Sequence, residues 1–173
     1  TLTWRAGRCE LAFNRDLVSP TDGRVLCGLN PSVHADETLL VGRVVNGAGK
    51  LRASLVNYAC HPISLGGGNT LVSPDYVGSM REIVEGATVH GACVFLHGAS
   101  GNQTPRRSFE SDAAVADQNG REVGYSVLST LASMFPPRVA LEYSGVEESG
   151  TPLAIWKERS SPPETAVRSR RAT

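Results

Sequence analysis

Two strand-like segments joined by a short turn limit the folds open to this chain more than any other feature. Thr38 to Val45 is rich in β-branched residues, Asn46-Gly47-Ala48-Gly49 has strong turn chemistry, and Leu51 to Ala59 resumes the strand pattern. Together they predict an antiparallel hairpin. Because Pro62 cannot continue regular pairing, His61 is expected at the carboxyl end of the second strand, where functional side chains collect.

The rest of the chain alternates between helix and strand patterns. Tyr76 to Glu85 has helical spacing behind the capping residue Asp75, and Val89 to Leu96 is a short apolar run typical of a buried strand. Apolar residues recur at helical spacing from Ser111 to Met134, where Asn119-Gly120 predicts one broken helix or two short ones. We therefore expect an α/β fold, with a mixed sheet and flanking helices, as part of a larger catalytic domain.

Composition and charge exclude some classes of partner. The 173 residues are 40% hydrophobic, as in one compact domain. The 17 Lys and Arg residues balance 17 Asp and Glu residues, so no broad positive field would attract nucleic acid. A transmembrane helix needs about 18 consecutive apolar residues, and the sequence has no such run.

The end of the chain is more polar than the rest. Arg138 to Tyr143 has strand character, whereas Ser160 to Pro163 resembles a linker. Arginines then collect in a polar stretch at positions 168, 170 and 171. We expect a catalytic-domain segment over 1–156 and a polar basic tail or truncated end over 157–173.

The four cysteines suggest no metal or redox motif. Cys9, Cys27, Cys60 and Cys93 are widely spaced, without a C-x-x-C pair. Cys60 and Cys93 lie within apolar runs, which favours buried and inert thiols. The sequence specifies no disulfide pairing.

Reactive side chains concentrate in two loops that follow predicted strands. One holds His61, which alone is more often a structural residue than a ligand. The other runs from His97 to Thr104 and nearly matches the nucleophile elbow G-x-S-x-G around Ser100, but Asn102 replaces the second glycine. A serine hydrolase using Ser100 with His97 or His61 is therefore one alternative, and a glycine-rich turn is the other.

Four motifs occur in order along most of the chain, between about Cys9 and Met134. They are Phe13-Asn14-Arg15, Asn57 to Ser64 (NYACHPIS), Ser73 to Gly78 (SPDYVG) and Phe95 to Pro105 (FLHGASGNQTP). This ordered set resembles the neutral/alkaline (non-lysosomal) ceramidase family, as an internal segment of its N-terminal catalytic domain. The resemblance implies a zinc-dependent amidohydrolase of sphingolipid metabolism that cleaves ceramide or a similar N-acyl lipid.

The same resemblance implies roles for four residues. His61 matches a zinc ligand of the family, and Thr104 stands where the family loop G-N/D-x-S-P has a serine beside the zinc. Thr104 keeps the hydroxyl but adds a methyl group that restricts χ1, so it is the candidate catalytic residue. Arg15 and Asn102 are the implied substrate-binding residues, and arginine suits the task because it stays charged and offers several donors.

The implied site is incomplete within this sequence. One zinc ion is implied, and a catalytic zinc normally needs three protein ligands and an open position, whereas only His61 is identified as a ligand here. The further ligands are expected outside this chain, so the isolated chain should turn over little substrate. A non-catalytic domain that retains the fold is the remaining alternative, and the residues select no compartment, although relatives include secreted and membrane-associated enzymes.

Overall fold

The computed structural model describes residues 1–88 and 91–162, which form two compact units, one over residues 2–134 and one from Phe135 onward with Thr1. The first unit contains β1 (Leu2–Arg8), β2 (Ala12–Asn14), β3 (Asp16–Val18), β4 (Val25–Cys27), β5 (Thr38–Val45), β6 (Leu51–Tyr58), α1 (Tyr76–Ala87), β7 (Ala92–His97), β8 (Gln103–Pro105) and α2 (Ala113–Ala132). The second contains β9 (Val139–Glu148) and β10 (Pro152–Ser160).

A four-stranded mixed sheet, in the order β1-β5-β6-β7, forms the centre of the first unit. β5 and β6 pair antiparallel, which confirms the predicted hairpin, and β7 adds parallel to β6. The strand predicted from Val89 begins at Ala92, and residues 89 and 90 lie outside the described part of the chain. Parallel pairing sets the carboxyl ends of β6 and β7 at one edge of the sheet.

The two helices cover one face of the sheet. The core consists of buried side chains from the sheet and from both helices: Val41, Val56 and Tyr58 from the sheet, Met80 and Val84 from α1, and Val123 and Val127 from α2. These residues are apolar and recur at strand or helix spacing, so each element buries one face. The predicted α/β fold with a mixed sheet and flanking helices is confirmed.

The predicted interruption at Asn119-Gly120 is wrong, because α2 runs unbroken from Ala113 to Ala132. Gly120 lies against the first turn of α1, where an added Cβ would meet the Tyr76 carbonyl oxygen at 2.4 Å. Asn119 is buried and uses its side-chain amide to donate to Ser64 Oγ and to the Arg107 carbonyl. Both residues are therefore used for tertiary packing, which overrides their weak helix propensity.

The opposite face of the sheet is apolar and exposed. Leu40 and Leu96 are both registered to Asn57 and so share this face, which also carries Trp4 and Val94. Their exposed fractions lie between 38% and 46%. Sheets with parallel strands are usually buried on both faces, so this surface differs from the solvated face of a typical antiparallel sheet.

The second unit is a long antiparallel hairpin of β9 and β10, with a bulge between Ile155 and Trp156. Tyr143 and Trp156 pair across the strands with ring centroids 5.8 Å apart. The strand predicted from Arg138 to Tyr143 lies almost entirely within β9. Lys157 belongs to β10, so the expected start of the tail falls inside a strand; residues 163–173, including the tail arginines, lie outside the described part. No helix in the described residues is long and apolar enough to cross a membrane.

Candidate active site

The candidate site lies at the sheet edge where β6 and β7 end. Tyr58, the last residue of β6, is registered to His97, the last residue of β7. We call residues 59–75, which follow β6, the His61 loop, and residues 98–102, which follow β7, the Ser100 loop. Because the two strands run parallel, both loops leave the sheet at the same place.

Ser100 connects the two histidines of this edge. Its Oγ lies 2.9 Å from His61 Nδ1 and 2.5 Å from His97 Nε2. The two imidazole rings meet edge to face with centroids 5.2 Å apart. Ser100 is 4% exposed, so its hydroxyl is committed to these two ring nitrogens rather than to solvent.

His97 is electrostatically different from an isolated histidine. Desolvation lowers its pKa from the ordinary value, and the charge of nearby His61 lowers it further. Its ring also stacks on Phe95, with centroids 6.2 Å apart. His97 therefore tends to be neutral near pH 7, and a neutral imidazole has one nitrogen that accepts a hydrogen bond.

Asp75 fixes the far end of the His61 loop. Its carboxylate accepts hydrogen bonds from the backbone N–H groups of Ser64 (3.1 Å), Leu65 (2.9 Å) and Tyr76 (2.7 Å). The bond from Tyr76 confirms the helix-capping role predicted for Asp75. Asp75 has φ 54° and ψ −149°, a conformation that costs a non-glycine residue about 1–3 kcal/mol and is maintained here by the three bonds.

Two buried tyrosines use their hydroxyls to hold backbone segments of the first unit. The Tyr76 hydroxyl donates to the Cys60 carbonyl at 2.6 Å, directly before His61. The Tyr58 hydroxyl donates to the Cys9 carbonyl and accepts from the Ala12 N–H, both at 2.9 Å. Burial raises the pKa of both phenols, so they stay protonated and keep donating.

The Ser100 loop is held mainly by backbone bonds. Gly98 N–H donates to the Tyr58 carbonyl, and Gln103 N–H donates to the Ser100 carbonyl, both at 3.0 Å. An added Cβ on Gly98 would come within 3.1 Å of the Ala59 backbone. This close approach requires glycine and packs the start of the Ser100 loop on the start of the His61 loop.

The four residues named by the family resemblance come from three distant segments and meet in this neighbourhood. β2 pairs with β8 so that Phe13 is opposite Thr104, and His61 N–H donates to the Gln103 carbonyl at 3.3 Å. Arg15 N–H donates to the Asn102 carbonyl at 2.9 Å, and its Nε donates to the Gly101 carbonyl at 3.0 Å. The Asn102 side chain is exposed.

Thr104 is 1% exposed, and its Oγ1 is buried with no hydrogen-bond partner among the described residues. Leaving a buried hydroxyl unpaired costs about 1–3 kcal/mol. A buried polar group that the chain itself leaves unpaired is a candidate for binding a ligand. Thr104 thus differs from Ser100, whose hydroxyl is fully engaged.

The described residues fit a zinc ion in part. His61 Nδ1 is hydrogen-bonded to Ser100 Oγ, so Nε2 is the ring nitrogen that could bind a metal. The His61 ring is half-buried. Within residues 1–88 and 91–162, no group of three or more His, Cys, Asp or Glu side chains could hold a metal ion. His61 can therefore serve as one ligand of a shared site, and the described residues form no complete one.

Ser100 does not have the geometry of a nucleophile elbow. The loop passes from β7 into the short strand β8, whereas an elbow connects a strand to a helix. Ser100 is not among the residues with positive φ. In the described part of the chain, no carboxylate forms an ion pair with His61 or His97, so the third member of a triad is also missing there.

The cysteines contribute no reactive thiol to the site. All four are free, and Cys9, Cys60 and Cys93 are buried, as predicted for the last two. Burial raises the pKa of Cys60, and it raises the pKa of Cys93 to about 11. These thiols stay protonated at neutral pH and act as small apolar side chains.

Sequence reasoning missed the connections of the site rather than its residues. Ser100, His97 and His61 were each named, but nothing in the spacing predicts that one hydroxyl joins both rings. Asp75 was identified as a cap, yet its bonds to Ser64 and Leu65 join positions about ten residues apart. One general rule could have suggested these bonds. Buried backbone N–H groups are almost always paired, so the N–H groups of the glycine-rich His61 loop need acceptors that the loop backbone does not supply.

Comparison with known proteins supports the fold. No model of a protein family matches the sequence, and no curated protein is significantly similar to it. Among solved structures, a ceramidase complexed with C2 matches with a TM-score of 0.61, and the neutral ceramidase from Pseudomonas aeruginosa matches with a TM-score of 0.60. Each is 18% identical and covers 76% of this chain.

This chain spans 22% of the length of each of those ceramidase chains. At this identity the match concerns the backbone arrangement, since one fold supports many chemistries. It agrees with the motif resemblance, which pointed to the same family from residues alone. The chain has the fold of a segment of the neutral ceramidases.

Proposed function

We propose that this chain forms part of the active site of a zinc-dependent amidohydrolase that cleaves ceramide or a similar N-acyl lipid. The observation that supports it best is the convergence of His61, Thr104, Arg15 and Asn102 at one sheet edge, where the buried Thr104 hydroxyl has no hydrogen-bond partner among the described residues. The ceramidase-like fold supports the same assignment.

In this proposal His61 is one zinc ligand, through Nε2, and the other ligands come from residues beyond those described. Bound zinc would polarise an amide carbonyl and lower the pKa of water to about 7, which is the chemistry that amide hydrolysis needs at neutral pH. The task of His61 is to hold the metal next to the Ser100 loop. Its backbone is well placed for this, because both groups of the peptide between Cys60 and His61 are bonded: Tyr76 donates to its carbonyl, and the Gln103 carbonyl accepts from its N–H.

Thr104 is the proposed catalytic hydroxyl. Its Oγ1 has one donor and two acceptor positions unused within the described residues, so it could bind the attacking water or the reacting amide without breaking an existing bond. β8 is a buried strand paired to β2, which gives the hydroxyl a rigid support. A positioned group of this kind typically contributes about 10²–10⁴-fold in rate.

Arg15 and Asn102 are the proposed substrate-binding residues. Arg15 donates to the Gly101 carbonyl through Nε, and the other N–H groups of its guanidinium can bind the polar head of the substrate. The exposed Asn102 amide offers both a donor and an acceptor for the same purpose. Asn102 lies on the Ser100 loop and Arg15 bonds to it. The proposed substrate-binding residues are therefore attached to the segment that continues into Thr104.

The test measures amide hydrolysis by this chain, or by a longer natural chain that contains it, before and after removal of metal with a chelator. We expect release of fatty acid from an N-acylsphingosine to stop on chelation and to return when zinc alone is added. Activity that survives complete metal removal would contradict the metal mechanism. Fatty acid release from simple esters but not from N-acyl lipids would contradict the substrate class.

A serine hydrolase is the second candidate function, because Ser100 Oγ lies within hydrogen-bond distance of two histidines. It is the weaker proposal, since the Ser100 hydroxyl is already engaged by both rings and, within the described residues, no carboxylate forms an ion pair with either histidine. A fluorophosphonate probe distinguishes the two. Labelling of wild type that is lost in Ser100→Ala would favour this candidate, and an unlabelled, active protein would eliminate it.

A further inference from the structure

We infer that Ser100 and His97 are positioning residues that hold His61 in the ring orientation and tautomer needed to bind zinc through Nε2. The inference rests on the proposed function, in which His61 is a zinc ligand, and it assigns a role to two residues to which the family resemblance gives none. It follows from the geometry of one hydroxyl shared between two imidazoles.

A hydroxyl has a single proton, which limits how Ser100 can bond to both rings. The Ser100 hydroxyl is buried and has no third hydrogen-bond partner among the described residues, so its proton is used only if it donates to one histidine and accepts from the other. Two arrangements of protons then satisfy both contacts. In the first, His61 Nδ1–H donates to Ser100, and Ser100 donates to His97 Nε2. In the second, His97 Nε2–H donates to Ser100, and Ser100 donates to His61 Nδ1.

Only the first arrangement is compatible with a metal on His61. It leaves Nε2 of a neutral His61 unprotonated, with a lone pair free for the ion, whereas the second puts the proton on Nε2. Metal-binding histidines generally donate their other ring N–H to an oxygen that fixes the tautomer and the orientation. Ser100 Oγ is that oxygen for His61, and His97 Nε2 completes the chain by accepting a hydrogen bond from the serine hydroxyl.

The supporting group is rigid, as such a role requires. Ser100 is buried, and its carbonyl accepts from Gln103 N–H at 3.0 Å. His97 ends β7 and stacks on Phe95, which itself packs edge to face on Tyr76 at 6.0 Å. Tyr76 in turn bonds to the Cys60 carbonyl, so both ends of the hydrogen-bond chain are fixed to the same part of the core.

The test measures zinc affinity by competition with a chromophoric chelator, with zinc as the only metal, in the natural chain used for the activity assay. Ser100→Ala should weaken binding by about 10- to 100-fold, the usual effect of removing an outer hydrogen-bond partner of a ligand. His97→Gln retains a hydrogen-bond acceptor and should stay within about threefold of wild type. His97→Phe retains the stacked ring but has no hydrogen-bond acceptor, so its zinc affinity should be closer to that of Ser100→Ala than to that of wild type.

A second readout is the tautomer of His61 in the zinc-bound protein, from two-bond nitrogen-proton NMR correlations. We expect a protonated Nδ1 in wild type, with the exchange of that proton slowed by Ser100 and faster in Ser100→Ala. A role confined to packing would give the opposite order for the two His97 variants, since Phe would then be the better replacement. Thermal unfolding of each variant checks that the fold is intact.

The outcomes separate this inference from the proposed function. If His61→Ala abolishes zinc binding while Ser100→Ala leaves the affinity unchanged, the positioning role is wrong and the ligand assignment stands. A zinc-bound His61 protonated at Nε2 would have the same consequence. If His61→Ala binds zinc as tightly as wild type, the ligand assignment itself is wrong.

Discussion

The His61 loop and the Ser100 loop leave the same sheet edge but are held in place in different ways. The longer His61 loop contains three consecutive glycines and depends on side-chain anchors. Asp75 at its own end bonds to the loop backbone, Tyr76 of α1 bonds to the Cys60 carbonyl, and Asn119 of α2 bonds to Ser64 Oγ. The shorter Ser100 loop is fixed by backbone bonds and by the pairing of β8 with β2.

The difference shows where substitutions should act. Side-chain anchors can be removed one at a time, each leaving buried backbone groups unpaired, whereas a loop held by backbone bonds responds mainly to steric changes. The His61 loop should therefore be sensitive to loss of acceptors and donors. The Ser100 loop should be sensitive to added volume.

The largest effect on stability is expected for Asp75→Ala. It leaves three backbone N–H groups without their acceptor and should lower the free energy of unfolding by about 3 kcal/mol. Asp75→Asn keeps one oxygen and should cost about half as much. Urea unfolding measures both. Equal stability of Asp75→Ala and wild type would show that the anchors of the His61 loop are dispensable.

Asn119→Ala should have the next largest effect. The amide donates to the buried Ser64 Oγ and to the Arg107 carbonyl in a partly buried bond, so its loss leaves both acceptors without this donor and should cost about 2 kcal/mol. Half-buried Asn69 is a matched control, because it lies in the His61 loop and its side chain bonds to the Ser111 carbonyl and the Leu71 N–H, both in exposed residues. We expect Asn69→Ala to change thermal stability by less than half as much as Asn119→Ala.

Gly98→Ala tests the Ser100 loop by added volume. The new Cβ would lie 3.1 Å from the Ala59 backbone, so the two loops must separate slightly, at a cost of about 1 kcal/mol. Gly101→Ala is the control, since nothing lies within 4 Å of its Cβ position, and it should be neutral or slightly stabilising. Were both variants equally stable, the close packing of the loops would not matter.

The smallest effect on stability is expected for Thr104→Val, which replaces an unpaired hydroxyl with a methyl group of similar shape. It should leave the free energy of unfolding unchanged or raise it by up to about 1 kcal/mol. Thr104→Ser, which keeps the hydroxyl and loses the methyl group, should be less stable than Thr104→Val. A clear loss of stability in Thr104→Val would mean that the hydroxyl has a structural role.

The strand pattern of the sequence was informative because β-branched runs and the Asn46 to Gly49 turn are local signals. The hairpin, the strand predicted from Val89 to Leu96 and the cap at Asp75 all follow from such signals, whereas the parallel pairing of that strand with β6 is seen only in the structure. The continuity of α2 does not follow from local signals either, because Asn119 and Gly120 are explained by contacts with Ser64 and Tyr76. Tertiary contacts of this kind are not encoded in spacing along the chain.

The candidate site also combines features predicted from the sequence with features that only the tertiary structure shows. The motif resemblance named His61 and Thr104, but the unpaired state of Thr104 Oγ1 and the shared hydroxyl of Ser100 are visible only in three dimensions. The exposed apolar face of the sheet is a similar case. Alternation within β5 and β6 predicts one buried face, while the exposure of Trp4, Leu40 and Leu96 emerges from the assembled sheet.

The central claim is that the His61 loop and the segment formed by the Ser100 loop and β8 contribute to one hydrolytic site, with metal binding at His61 and catalysis at Thr104 in β8. Zinc content and N-acyl lipid hydrolysis, measured together in His61→Ala and Thr104→Val, test it most directly. We predict that His61→Ala loses both, and that Thr104→Val keeps its zinc while hydrolysis falls by about 100-fold or more. Retention of zinc by His61→Ala, or full activity in Thr104→Val, would contradict the account.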